Sequence, residues 1–175
     1  MSNKQYNPQT IKQPVHIRRN VEDFTDPYVE DKQLPENAVC ERCGSMHSSG
    51  RWYPPDQLPD NVSRAESHKG ICPACRKLRD RVPGGVLKIT GGFVWDHKDE
   101  ILNLIRNESA RALGTNPLER IMSLESDNGG IEITTTNEKL AQRIGRALHK
   151  AYSGTVQYKW SVDTKLARVL WHRES

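Results

Sequence analysis

The chain has 175 residues, with 26 lysines and arginines against 22 aspartates and glutamates, so its formal net charge is +4. Hydrophobic residues make up 35% of the chain and the mean hydropathy is −0.77, which indicates that part of the chain lies outside any hydrophobic core. No run approaches the roughly 18 apolar residues of a membrane-spanning helix, and the first ten residues lack the apolar run of a signal peptide. We therefore expect a cytoplasmic protein, neither a membrane protein nor a secreted disulfide scaffold.

Composition divides the chain into three parts. Residues 1–39 carry mixed charges and scattered Pro, Asn and Gln without a hydrophobic period, which is typical of a disordered or extended arm. Residues 40–83 contain all four cysteines and an excess of basic residues, but too few apolar residues for a core of their own. Residues 84–175 show regular hydrophobic periods, which predict a folded α+β domain.

The four cysteines form two C-x-x-C pairs, Cys40 with Cys43 and Cys72 with Cys75. A spacing of two residues allows both thiolates of a pair to reach one tetrahedral ion. The pattern therefore predicts a zinc ribbon with two knuckles and one structural Zn²⁺. The gap of 28 residues between the pairs is longer than the usual ~15–20, so a loop must lie between them. A redox-active C-x-x-C, another metal, and replacement of one cysteine by a histidine (His47 or His68) remain alternatives.

Hydrophobic periods in the C-terminal part predict seven elements in the order β-α-β-β-α-β-β. These are a strand at 86–89, a helix at 96–114, strands at 118–124 and 131–136, a helix at 137–152, and strands at 155–161 and 165–171. The first six elements match a ferredoxin-like βαββαβ domain, to which the seventh adds a C-terminal strand.

Local signals support these elements. The sequence Asp-Asn-Gly-Gly at 127–130 indicates a hairpin between the second and third strands. Asn137 is a suitable N-cap for the second helix. We expect Trp95 in the core, and Trp160 and Trp171 in the core or on a sheet face.

Two groups of residues are candidates for contact with RNA. Four basic residues share one stripe of the second predicted helix: Lys139, Arg143, Arg146 and Lys150. The cysteine segment supplies the others: Arg42, Arg51, Trp52, Arg76, Lys77, Arg79 and Arg81. Basic side chains beside an aromatic ring suit phosphate binding combined with base stacking. An ordinary solvated helix face and a tryptophan packed against the ribbon are the alternatives.

The cysteine pattern and several C-terminal segments carry a resemblance to known families. Residues of about 15–173, including 131–137 (IEITTTN), 140–152 and Tyr158-Lys159-Trp160, resemble a family of small bacterial zinc-ribbon proteins. More distantly, C-x-x-C-G with a later C-x-x-C before an α+β domain is similar to the Nmd-three-type adaptor that exports the large ribosomal subunit. The chain has one cysteine set where the adaptor has more, and it lacks the export segments.

This resemblance implies binding to the ribosome or ribosomal RNA, in assembly, quality control or dormancy. It carries the four cysteines over as zinc ligands and carries over no RNA-contacting residue. Because the chain also lacks nucleotide-binding and hydrolase motifs, we expect a non-enzymatic, zinc-stabilised RNA-binding protein without a small-molecule substrate or membrane partner. The alternative is a protein–protein adaptor that uses the sheet, with the zinc purely structural.

Overall fold

A computed structural model describes residues 26–28, 36–58, 67–161 and 165–175. These residues form two units, each built on its own sheet. The cysteine unit comprises residues 36–58 and 67–81, and the α+β unit comprises residues 85–161 and 165–175. Most of the arm predicted at 1–39 lies outside the described residues. No helix in the described part of the chain is long and apolar enough to span a bilayer.

The cysteine unit is a four-stranded sheet followed by one helix. Its elements are β1 (Ala38–Cys40), β2 (Met46–Ser48), β3 (Arg51–Tyr53), β4 (His68–Gly70) and α1 (Pro73–Asp80). The strand order is β3-β2-β1-β4, with β1 antiparallel to β2 and parallel to β4. The second C-x-x-C of the predicted ribbon lies at the start of a helix. Proline at the first helical position, directly after Cys72, favours this outcome because its fixed φ suits a helix N-terminus.

The α+β unit has the predicted order of elements, with one additional short helix. Its elements are β5 (Gly85–Thr90), α2 (Phe93–Asp96), α3 (Lys98–Thr115), β6 (Ile121–Asp127), β7 (Gly130–Thr135), α4 (Glu138–Tyr152), β8 (Thr155–Trp160) and β9 (Ala167–His172). Asn137 caps α4, as predicted: its side-chain oxygen accepts a hydrogen bond of 3.1 Å from the amide of Leu140.

The sheet of the α+β unit does not follow the ferredoxin-like strand order. Its order is β6-β7-β5-β9-β8, so β9 lies parallel to β5 and β8 forms the edge. In a ferredoxin-like sheet β8 would lie beside β5, with the added strand outside it. Burial explains the difference: β9 buries Ala167, Val169 and Trp171, whereas β8 exposes Lys159 and Trp160 and suits an edge.

Both long helices cover one face of this sheet. Alternate residues of β5, β7, β8 and β9 join Ile101 and Ile105 of α3 and Leu140, Ile144 and Leu148 of α4 in one core. Trp171 is fully buried there, but Trp95 is 43% exposed and the prediction that it lies in the core is wrong. We call the other side of the sheet the open face.

Candidate metal centre and adjoining basic surface

The first cysteine pair lies in a tight turn at the end of β1. The amide of Gly44 donates to the carbonyl of Cys40, and the amide of Cys40 donates to the carbonyl of Ser45, both at 2.8 Å. Gly44 has a φ of +72°, a conformation that glycine adopts without the strain a side chain would add. These bonds close the loop around Cys43 and hold both thiols beside each other.

The second cysteine pair lies at the N-terminus of α1. Cys72 is the N-cap residue, and its Sγ accepts a hydrogen bond of 3.4 Å from the amide of Cys75. The amide of Cys72 in turn donates to Sγ of Cys40 at 3.3 Å, which links the two pairs. The partial positive charge of a helix N-terminus favours thiolates at this position.

The four sulfur atoms form one cluster, as the spacing predicts. All four Sγ atoms lie within 4.8 Å of one another, and those of Cys43 and Cys72 are 3.7 Å apart. A tetrahedral site with metal–sulfur bonds of about 2.3 Å needs sulfur atoms about 3.8 Å apart, so the cysteines fit a single ion. Among the described residues no histidine belongs to this cluster. His68 is exposed on β4, and the ring of His47 packs against Trp52.

The cysteines hold their protons unequally. The hydrogen bond between Cys43 and Cys72 lowers the pKa of Cys43, and the Ser45 hydroxyl, 3.2 Å away, lowers it further. The same bond, together with burial, raises the pKa of Cys72. Burial raises the pKa of Cys75 to about 11. A bound cation would displace these protons by stabilising the thiolates.

We expect metal binding to weaken steeply as the pH falls. Because Cys72 and Cys75 have raised pKa values, both hold protons at neutral pH until a metal displaces them. Acidification increases proton competition, so the apparent affinity should fall by at least about a hundredfold per pH unit, because at least two protons are displaced. Competition with a colorimetric chelator across the neutral range measures this slope. An affinity independent of pH would show that no proton is displaced.

Two residues of the α+β unit complete the surroundings of the cysteines. Arg120 donates from Nη1 to Sγ of Cys75 at 3.8 Å, and its Nε donates to the carbonyl of Pro117 at 2.7 Å. Leu118 packs against the small core that includes the buried cysteines and Trp52. A guanidinium beside a four-thiolate site offsets part of its negative charge. Sequence analysis missed both contacts because they join segments more than 40 residues apart in the chain.

Four of the predicted basic residues of the cysteine unit are exposed: Arg42, Arg51, Arg79 and Arg81. Arg51 donates to the carbonyl of Thr115 at 3.2 Å, and Arg79 pairs with Asp80 at 2.7 Å. Arg76 donates to the carbonyl of Tyr28 at 2.8 Å. The surface beside the cysteines is therefore basic, although several of its cations already have protein partners.

The other two predicted contact residues of this unit lie inside the protein. Trp52 is 6% exposed and belongs to the small core around the cysteines. Lys77 is 5% exposed, pairs with Asp26 and donates to the carbonyl of Thr136 at 2.9 Å. Neither side chain is presented to a ligand from solution. Their contacts instead support packing of α1 against the α+β unit.

The predicted stripe on α4 lies mostly at the surface. Lys139, Arg146 and Lys150 are exposed, and none of them forms an ion pair with a described residue. Arg143 differs because its Nη2 lies 3.7 Å from Oε2 of the buried Glu119. The unpaired cations of the stripe are therefore the residues on either side of Arg143.

One residue of each predicted basic group, Lys77 and Lys139, lines a shared cleft. A cleft of about 200 Å³ between the start of α1 and the start of α4 is lined by Lys77, Lys139 and Lys165. Asp26 and Glu138 also line it, but Asp26 pairs with Lys77, and Glu138 lies 3.7 Å from Lys165. Sequence analysis did not single out Lys165, because its place depends on how the last two strands pair.

No protein-family model, curated protein or solved structure matches this chain. The expected family membership therefore stays a prediction.

Proposed function

We propose that this chain is a non-enzymatic, zinc-stabilised RNA-binding protein of the cytoplasm. Its proposed target is the ribosome or a large-subunit precursor, in assembly, quality control or dormancy. The observation that carries the proposal is the position of two exposed lysines from separate segments, Lys139 of α4 and Lys165 before β9, on one cleft. Lysines and arginines that face one surface from separate elements suit the closely spaced phosphates of folded RNA.

Zinc is the metal that this donor set favours. Four thiolates at tetrahedral spacing bind soft or borderline ions, and zinc takes this geometry without redox chemistry. A shell of four protein ligands leaves no position for water or substrate, which supports a structural role. In the proposed function the ion fixes α1, and Lys77 of α1 holds the segment before α4 through the Thr136 carbonyl.

Co-sedimentation with ribosomes tests this proposal. Zinc-loaded protein is mixed with ribosomes or with separated subunits at low and at moderate salt, and an unrelated acidic protein controls for trapping in the pellet. We expect the protein to pellet with one subunit and to be released as salt rises, because released counterions drive phosphate binding. Protein that stays in the supernatant at every salt concentration would contradict the proposal, and so would binding that does not depend on salt concentration.

A protein–protein adaptor is the second candidate, and the open face of the sheet favours it. A groove of about 210 Å³ on this face is lined by the apolar side chains of Val86 and Leu170 and by Lys159 and Arg168. Lys88 also lines it and pairs with Glu132 at 2.9 Å, so the face carries both signs of charge. Mixed charge around apolar residues suits a protein partner better than it suits RNA. Absence from all ribosomal pellets would favour this candidate.

A further inference from the structure

Trp160 occupies an unusual position at the end of the edge strand β8. Its side chain is on the helix-covered face of the sheet, because Val156 and Tyr158 at alternate positions are buried in the core. Yet Trp160 is 41% exposed, whereas those two residues are 3% and 7% exposed. The helix layer therefore covers the first part of β8 but leaves the indole at its end open to solvent.

The register of the sheet places this indole near the start of α4. Trp160 pairs with Ala167, which pairs with Gly85 in β5. A Cβ atom on Gly85 would lie only 2.7 Å from Cβ of Ala141. The end of the sheet that contains these paired residues therefore packs against the first turns of α4. Lys165 before β9 lies 3.7 Å from Glu138, which brings the same end of the hairpin to α4.

Two segments near this end of β8, the α4 helix and the residues before β9, supply cations. Lys139 lines the cleft with Lys165, and both side chains are exposed. Arg146 lies close enough to Tyr158 for its charge to oppose the rise that burial causes in the pKa of the phenol. Glu138 is the acidic residue at this edge of the cleft, and it is already engaged by Lys165. An exposed indole thus lies at the end of the sheet where α4 and the segment before β9 supply cations.

We propose that Trp160 is a base-stacking platform for single-stranded RNA, with Lys139, Arg146 and Lys165 contacting the adjacent phosphates. An indole offers a flat face to any base, and neighbouring cations neutralise the backbone on either side. A duplex would not suit this site, because its bases are already stacked on each other. This inference rests on the proposed RNA-binding function and specifies which surface and which form of RNA it uses.

Trp95 provides a matched control within the same chain. It is 43% exposed, so it resembles Trp160 in accessibility. It follows the opposite end of β5, and Nζ of Lys98 lies 5.4 Å from the centre of its ring. Removing this indole changes the aromatic surface by the same amount at a site remote from the cleft.

The test compares Trp160→Ala, Trp160→Phe and Trp95→Ala in the full zinc-loaded chain. The probes are a labelled single-stranded oligouridine and a labelled RNA duplex, with binding followed by fluorescence anisotropy. We expect Trp160→Ala to weaken oligouridine binding about tenfold or more, Trp160→Phe to retain most of it, and Trp95→Ala to leave it unchanged. The duplex should bind less tightly than the single strand and should not respond to Trp160→Ala.

The outcomes separate this inference from the function on which it rests. Normal oligouridine binding by Trp160→Ala, or an equal loss in Trp95→Ala, would overturn the stacking role while RNA binding itself stands. Wild-type protein that pellets with ribosomes but does not bind oligouridine would also overturn the stacking role. Failure of the wild type in both assays would remove the proposed function. Because both indoles are exposed, thermal melting should confirm that each variant folds like the wild type.

Discussion

Cys72→Ser is expected to abolish metal binding and to unfold the cysteine unit, while the core of the α+β unit stays folded. The small core of the cysteine unit consists of Cys40, Trp52, Cys72, Ala74 and Cys75. Three of these five residues are metal ligands in our proposal, so little apolar packing remains without the ion. The main core of the α+β unit contains no residue of the cysteine unit.

The expected effect of this substitution is large. Apparent binding free energies of structural zinc in small zinc-dependent domains are about 10–16 kcal/mol, which is comparable to the whole stability of an ordinary domain. Elemental analysis should give one zinc ion per wild-type chain and none in the variant. Hydrogen exchange followed by mass spectrometry should show lost protection in 36–58 and 67–80, and retained protection in β5, β7 and α4.

His68→Ala is the matched control for the loss of Cys72. It removes an exposed potential ligand from the same unit without touching the sulfur cluster, so it should retain the ion and normal exchange. Loss of zinc from this control would mean that the ligand set includes a histidine. Uniform loss of protection throughout Cys72→Ser would show that the two units fold as one.

Contacts between the units predict a smaller, secondary effect of zinc loss. Arg120 and Leu118 contact the cysteine cluster, and the Thr136 carbonyl accepts a hydrogen bond from Lys77. Loss of these contacts should leave α4 folded but should release the first turn of α4 from α1. We therefore expect the zinc-free chain to bind RNA less tightly even where its α+β unit is intact.

Elements that depend on local signals were predictable from the sequence. The cap at Asn137 and the apolar period through Leu140, Ile144 and Leu148 predicted α4, and its N-terminus lies where the cap requires. The cysteine spacing likewise predicted one cluster, because two residues between thiols already bring each pair together. In both cases the determining contacts lie within a few residues of each other.

Features that depend on distant contacts could not be predicted in the same way. The insertion of β9 between β5 and β8 follows from which strand buries more side chain, and this depends on the complete sheet. Lys77 lies in a basic run but is buried by Asp26 and Thr136, 51 and 59 residues away. Trp95 lies in an apolar segment, yet the packing of α2 leaves its indole at the surface.

The double substitution Lys139→Glu/Arg146→Glu is expected to remove most RNA binding without loss of fold. Both side chains are exposed and lack ion-pair partners among the described residues, so their replacement breaks no ion pair there. Arg143 is left intact because it pairs with the buried Glu119. Reversal replaces two attractions for phosphate by two repulsions, and we expect affinity for oligouridine to fall about a hundredfold at low salt.

Salt dependence distinguishes lost contacts from a general change in charge. Each phosphate contact to a single strand contributes about 0.7 to the slope of log affinity against log salt, so two lost contacts should lower the slope by about 1.4. Arg106→Glu/Arg111→Glu on α3 is the control for charge, because it makes the same change in net charge at exposed sites of another helix. It also breaks the ion pair of Arg111 with Glu108, so thermal melting should confirm that this variant folds. It should reduce affinity only slightly and keep the slope. Equal losses in both variants would mean that RNA responds to net charge alone and that the α4 stripe is not the contact surface.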